Sequence, residues 1–116
     1  MKDNIHLQSL IQDLNKQSAQ ERVQIWKRIA LDLSKPTRQR RVVNLYKLSR
    51  YAKEGETLVV PGKVLGTGEV NEMITVAAWD YSAQALEKLK NSKSIAMSIQ
   101  ELMKKNPKGS KVRIIG

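Results

Sequence analysis

The apolar pattern of this 116-residue chain changes character at Gly55, and that change limits the fold more than any single motif. Upstream, apolar residues recur at helical spacing; downstream they come in short β-rich runs separated by glycine and proline. Leu7, Leu10, Ile11 and Leu14 fall at i, i+3, i+4 and i+7, the stripe of a short helix with Asp3 or Asn4 available as its cap. Ser18-Ala19-Gln20-Glu21 has the form of a capping box and predicts the start of a second helix carrying Val23, Trp26, Ala30 and Leu33. Lys35-Pro36 ends it, because the residue before proline is pushed out of the α region. A loop is expected next, then a third helix capped by Asn44, with Leu45, Leu48 and Ala52 on one face and Gly55 at its close.

Beyond Gly55, Thr57 to Val60 reads as a short strand, Pro61-Gly62 as a turn, Lys63 to Leu65 as another apolar piece, and Gly66-Thr67-Gly68 as a sharp break. Met73 to Trp79 reads as one buried strand, after which Ser82 can cap a helix through Ala85, Leu86 and Leu89. Ser98-Ile99-Gln100-Glu101 is a second capping box, opening a helix with Ile99, Leu102 and Met103 inward and a stop at Asn106-Pro107. Val112 to Ile115 is the expected last strand. The pattern predicts an α/β fold in one domain spanning 1–116: a helical part over 1–34, a basic loop and helix over 35–53, and a compact core of short strands and helices over 54–116.

Charge supplies the functional signal. Lys and Arg number 21 against 11 Asp and Glu, a net +10 with a pI near 10.0, which points to a polyanionic partner. Residues 35–53 hold seven bases and no acid: Lys35, Arg38, Arg40, Arg41, Lys47, Arg50 and Lys53. Residues 104–113 hold five and no acid: Lys104, Lys105, Lys108, Lys111 and Arg113. The rest of the chain is slightly acidic, so these two segments carry more than the whole excess. Solubility alone is normally achieved with both signs interspersed. On the third helix, Tyr46, Arg50 and Lys53 fall on the face opposite Leu45, Leu48 and Ala52, so one side packs while the other presents cations beside a ring. Arginine's planar fork grips phosphate oxygens in pairs, which favours folded RNA over generic anion attraction. A membrane surface fits worse, since no basic amphipathic helix exposes Trp, Phe or Leu beside its cations.

Other chemistry is poorly supported. Cysteine is absent and His6 is the one histidine, so thiolate metal sites are excluded and neither metal nor cofactor is expected. The run Gly62 to Gly68 suggests a phosphate loop, and a small nucleotide-binding protein or enzyme is the alternative reading. Its Lys63 follows the first glycine rather than the second, and Gly66-x-Gly68 is followed by Asn71 where a dinucleotide loop needs glycine. A tight turn permitted by glycine explains it better. His6 has no nucleophile or orienting group nearby in sequence. Trp26 and Trp79 lie in apolar patterns and are expected in the core, whereas Tyr81 beside the Ser82 cap fits either role. No run of 18 apolar residues occurs, and MKDNIHLQSL has acids and amides where a signal peptide would be apolar, so an intracellular, soluble protein is expected.

Four blocks carry a resemblance: RVVNLYKL at 41–48, VVPGKVLGTGEV at 59–70, TVAAWDYSAQALEKL at 75–89, and NPKGSKVRIIG at the end. In this order and spacing the chain resembles the large-subunit ribosomal protein eighteen family of archaea and eukaryotes, relatives of bacterial large-subunit ribosomal protein fifteen. The resemblance implies a non-enzymatic constituent of the cytoplasmic large ribosomal subunit, with large-subunit rRNA and neighbouring ribosomal proteins as partners. It also implies a compact α/β core of irregular β-β-α turns, with the basic loop before Asn44 and the glycine segment against rRNA. The block Trp79-Asp80-Tyr81-Ser82 departs from the family, which usually carries phenylalanines there. The candidate RNA contacts are Lys35, Arg38, Arg40, Arg41, Tyr46, Lys47, Arg50 and Lys53, with Lys63, Lys108, Lys111 and Arg113 as a second patch.

Overall fold

The computed structural model describes residues 4–36 and 41–116. Among these the chain forms, in order, α1 (Asn4–Glu21), α2 (Ile25–Leu33), β1 (Arg41–Asn44), α3 (Leu45–Tyr51), β2 (Thr57–Leu65), β3 (Thr75–Tyr81), α4 (Ala83–Asn91), β4 (Ile95–Ser98), α5 (Ile99–Lys105) and β5 (Val112–Ile114). The α/β class and the helical N-terminal part are as the apolar pattern predicts.

All strand pairs are parallel. The order runs β1, β2, β3, β4, and β5 also pairs with β2. Because β3 occupies one side of β2, β1 and β5 share the other: β5 lies beside Thr57–Val59 and β1 beside Gly62–Leu65. A parallel sheet buries both faces, which explains the uninterrupted apolar runs. Val59, Ala77, Trp79 and Met97 pack under α1, α2 and α5 together with Trp26, Ile29 and Leu33. Leu58, Val60, Val64, Val76 and Ala78 pack under α3 and α4 with Leu45, Leu48, Ala85 and Leu89. Both tryptophans are core residues, and Trp26 Nε1 also donates to the Pro107 carbonyl at 2.7 Å.

Several local expectations are corrected by non-local partners. Ser18 does not start a helix. It continues the inward stripe of α1 one turn past Leu14 and is buried, and its hydroxyl donates to the Val23 carbonyl. The helix stops instead where Arg22 turns left-handed (φ 57), with Val23 N donating back to Ser18 O at 3.2 Å, a Schellman ending with arginine where glycine is usual. Val23 thus lies in the link between helices. The stretch before Asn44 is not all loop, since Arg41–Asn44 is strand β1. Pro61-Gly62 is not a turn but a bulge inside one continuous strand, where the register against β3 shifts between Val60 and Lys63. A β-carbon at Gly62 would lie 1.8 Å from the Arg41 carbonyl oxygen, so glycine there is what lets β1 come close.

Strand β3 starts two residues later than expected, leaving Met73 exposed. Helix α3 ends at Tyr51, short of Gly55, and Leu86 on α4 faces out while Ala85 and Leu89 face in. Ser82 caps α4 and the Ser98-Glu101 box caps α5 as predicted, each by a 3.1 Å bond from a backbone amide to the serine hydroxyl. Strand β4, four residues long and running into that box at Ser98, has no counterpart in the sequence reading.

The link from β2 to β3 contains no helix, and residues 66–74 must run back along the sheet with a reach of about 30 Å. It passes over the α3/α4 face, with Val70 and Ile74 packed on that core. Gly66 presses on the Gln84 side chain and Gly68 on Tyr46, so the crossover is wedged between the two helices.

Candidate nucleic-acid interface

The two acid-free segments are far apart in sequence, yet the topology lays them end to end along one side of β2. β1 belongs to the first and β5 to the second. Side chains join them. Arg113 NH2 donates to the Tyr51 carbonyl, and Lys47 Nζ donates to the Gly116 carbonyl at 2.8 Å. The C-terminal Gly116 packs on the Arg41 side chain.

Part of the positive charge is internal. Asp32, a buried carboxylate on α2, receives Arg41 through Nε and NH2 at 3.2 Å each, and Lys35 Nζ lies 3.3 Å from its other oxygen. Arg113 NH2 lies 3.3 Å from Glu56 Oε1, and Lys108 Nζ 3.0 Å from Glu21. Two atoms of the Arg113–Glu56 pair, Arg113 Nε and Glu56 Oε1, are shielded from solvent without a hydrogen bond, so that pair is held by charge more than by alignment.

Tyr46, Arg50, Lys53, Lys63 and Lys111 form the outward set. All five are exposed, and their side chains make no hydrogen bond or ion pair among the described residues. Arg38 and Arg40 lie outside the described residues. The predicted grouping of Tyr46, Arg50 and Lys53 holds in part: Tyr46 and Arg50 project from α3, while Lys53 follows its end. Lys63 sits at the bulge, in register with the exposed Val42.

Tyr46 is held from behind. Its amide donates to Thr67 O at 3.1 Å, and Asn44 Oδ1 accepts from Thr67 N at 3.3 Å rather than from the amides of α3. Lys88 on α4 donates to Gly68 O at 2.8 Å and lies 3.5 Å from Glu69. Sequence reasoning gave Asn44 a capping role and missed this clamp; the only signal was an asparagine before a helix and a glycine pair with no obvious neighbour.

The remaining titratable features are structural. Burial pushes the Tyr81 phenol well above its ordinary value, and its hydroxyl lies 2.6 Å from Met97 O and 3.1 Å from Val76 O, which settles the open reading of Tyr81 in favour of packing. Bonds from the Ser98 amide and hydroxyl hold the Glu101 carboxyl below its usual range. Among the described residues no group of His, Asp or Glu is placed to hold a metal ion, and no helix is long and apolar enough to cross a membrane.

Fold and edge together define a strongly basic parallel α/β protein whose two cationic segments lie end to end along one side of one strand. No family model matches the chain. Curated relatives do match over nearly its whole length, each bearing the name large ribosomal subunit protein eL18. That of Methanospirillum hungatei is 46% identical, covering 98% of this chain and 94% of its own. That of Archaeoglobus fulgidus is 43% identical, covering 98% and 97%, and that of Methanopyrus kandleri 41% identical, covering 97% and 92%. The chain belongs to the large ribosomal subunit protein eL18 family.

Proposed function

We propose that this protein is a non-catalytic constituent of the cytoplasmic large ribosomal subunit, folded as one domain, that binds large-subunit rRNA and supports translation from that position. The observation that carries the reading is the meeting of the two acid-free segments along one side of β2, in a chain whose remainder is slightly acidic. Binding is by phosphate neutralisation and shape. Arg50, Lys53, Lys63 and Lys111 supply free cations, Arg38 and Arg40, outside the described residues, are further candidate contacts, and Tyr46 offers a ring for stacking. Lys35, Arg41, Lys47, Lys108 and Arg113 act differently: each is committed to a partner within the chain, so they shape the edge and contribute their field more than a new contact.

The competing reading, a nucleotide loop at 62–68, gains nothing from the geometry. Gly62, Gly66 and Gly68 are each accounted for by a close neighbour, Arg41, Gln84 and Tyr46, and residues 62–65 are strand. Sedimentation of native lysate tests the proposal: the protein travels with large subunits at low salt and is stripped as salt rises. Migration as a free protein at low salt contradicts it, and saturable binding of ATP, GTP or NAD abolished by Lys63→Ala favours the competitor.

A further inference from the structure

Counting charge along the chain conceals one basic surface. Arg22, Lys27 and Arg28 belong to the stretches that are slightly acidic in sum, yet the fold carries the acids away from them. Trp26, Ile29, Ala30 and Leu33 turn inward, which leaves Lys27, Arg28 and Leu31 on the outward face of α2, with Arg22 just ahead of them in the link from α1. All four are exposed, and the side chains of Arg22, Lys27 and Arg28 make no hydrogen bond or ion pair among the described residues. The nearby acids are accounted for. Glu21 is paired with Lys108, Asp32 is buried under Arg41 and Lys35, and Asp13 faces α5 in a hollow shared with Gln100 and Lys104.

Two hollows border this face. One, of about 510 Å³, is lined by Asn15, Ser18, Ala19, Arg22, Gln24 and Lys27, with no acid among them. In the other, Leu31 is 59% exposed between Arg28, one turn before it, and Lys35, one turn after it, about 10 Å apart along the axis. Every other residue lining that hollow is polar, too little apolar surface for the core of a protein interface. Cations and amides around one aliphatic side chain suit an RNA backbone: phosphate and 2′-hydroxyl oxygens for the polar groups, a ribose for Leu31. Asp32 ties α2 to Arg41 of β1, so this face is continuous with the basic edge. It points the other way from α3, however. Helix α2 packs on the sheet face that carries Val59, and α3 on the face that carries Leu58 and Val60, so one straight duplex cannot lie against both.

We propose that α2 is a second RNA-binding surface and that the protein bridges two segments of large-subunit rRNA, one on the basic edge and α3, the other on Arg22, Lys27, Arg28 and Leu31. The proposal rests on the ribosomal reading. The edge has the more numerous free cations and binds first; the second segment reaches α2 as the subunit folds around the bound protein, so the α2 cations count in the assembled subunit rather than in the first binding step.

The chain contains no cysteine, so a single one placed at Ser34, the exposed cap of α2, or at Ser49 on α3 can carry an iron chelate that cuts nearby RNA through hydroxyl radicals. Each labelled protein is rebound to large subunits from which the unaltered protein has been stripped by salt. Cuts are expected from both positions, in two different rRNA helices. The double variant Lys27→Gln, Arg28→Gln, whose side chains are exposed and not needed by the fold, is expected to rebind to the stripped subunits about tenfold more weakly. Cuts from Ser49 alone, one helix cut from both positions, or undiminished rebinding by the double variant would each overturn the bridge. Weaker rebinding without cuts from Ser34 would overturn it in favour of a protein partner on α2. No cuts from either position would show that the ribosomal reading itself has failed.

Discussion

Replacing Gly68 with alanine tests whether the crossover wedge fixes the exposed end of α3. Gly68 has φ 102, and a β-carbon there would sit 2.5 Å from Tyr46 Cβ, 2.7 Å from its N and 2.9 Å from its Cα. Tyr46 cannot retreat without breaking its 3.1 Å bond to Thr67 O. The forced conformation costs about 1–3 kcal/mol, and the overpacking against backbone about 1–3 kcal/mol more. Gly55 is the internal control: its φ is also positive, at 82, but nothing lies within 4 Å of the added carbon, so only the conformational part applies. Thermal unfolding followed by circular dichroism is expected to show a loss of roughly 10–20 °C for Gly68→Ala and less than half of that for Gly55→Ala, at about 4 °C per kcal/mol for a domain of this size. Equal losses, or a larger one at Gly55, would refute the wedge.

Tyr81→Phe removes a buried phenol whose raised titration stabilises the folded state fully below the ordinary tyrosine value of about 10. The unaltered protein should therefore lose stability as pH climbs beyond about 10, and the variant should lose less over the same range while being about 1 kcal/mol weaker at neutral pH; a pH series of urea melts checks both. Glu101 has the opposite sign: its lowered titration contributes fully above the ordinary carboxylate range and is lost as pH falls below it, so hydrogen-exchange protection of α5, taken relative to the intrinsic rate at each pH, should fall over that range, and Glu101→Gln should abolish that dependence. Ser98→Ala removes the hydroxyl half of the box and should cost about 1 kcal/mol in the same urea melts. Arg50→Ala and Lys63→Ala should each flatten the salt dependence of rRNA binding by about 0.7–0.9 in log–log slope, whereas Lys108→Ala, whose partner is Glu21, should change it less.

What was legible in the sequence was whatever is decided locally. The caps at Ser82 and Ser98 work through bonds three residues away, and the stripes of α1 and α2 need only helical spacing. What was hidden depends on residues far along the chain. RVVN becomes strand β1 because β2 lies beside it, and Pro61-Gly62 stays inside a strand because β3 tolerates the bulge. Ser18 looks like a cap until Leu14 and the core draw the helix onward. The candidate interface divides the same way. The acid-free segments could be counted from the sequence, but which cations are free could not, since Glu21 and Glu56 neutralise theirs across long separations and Asp32 takes up Arg41 only once the chain has turned back on α2. Arg50, Lys63 and Lys111 have no acid brought to them, whereas Arg41 and Arg113 do.

The most direct test of the central claim is the slope of log binding constant against log salt for the unaltered protein and large-subunit rRNA. Six candidate contacts, Arg50, Lys53, Lys63 and Lys111 on the described edge together with Arg38 and Arg40 outside the described residues, give an expected slope of about −4 to −5 by counterion release. A slope near zero would contradict binding through this edge.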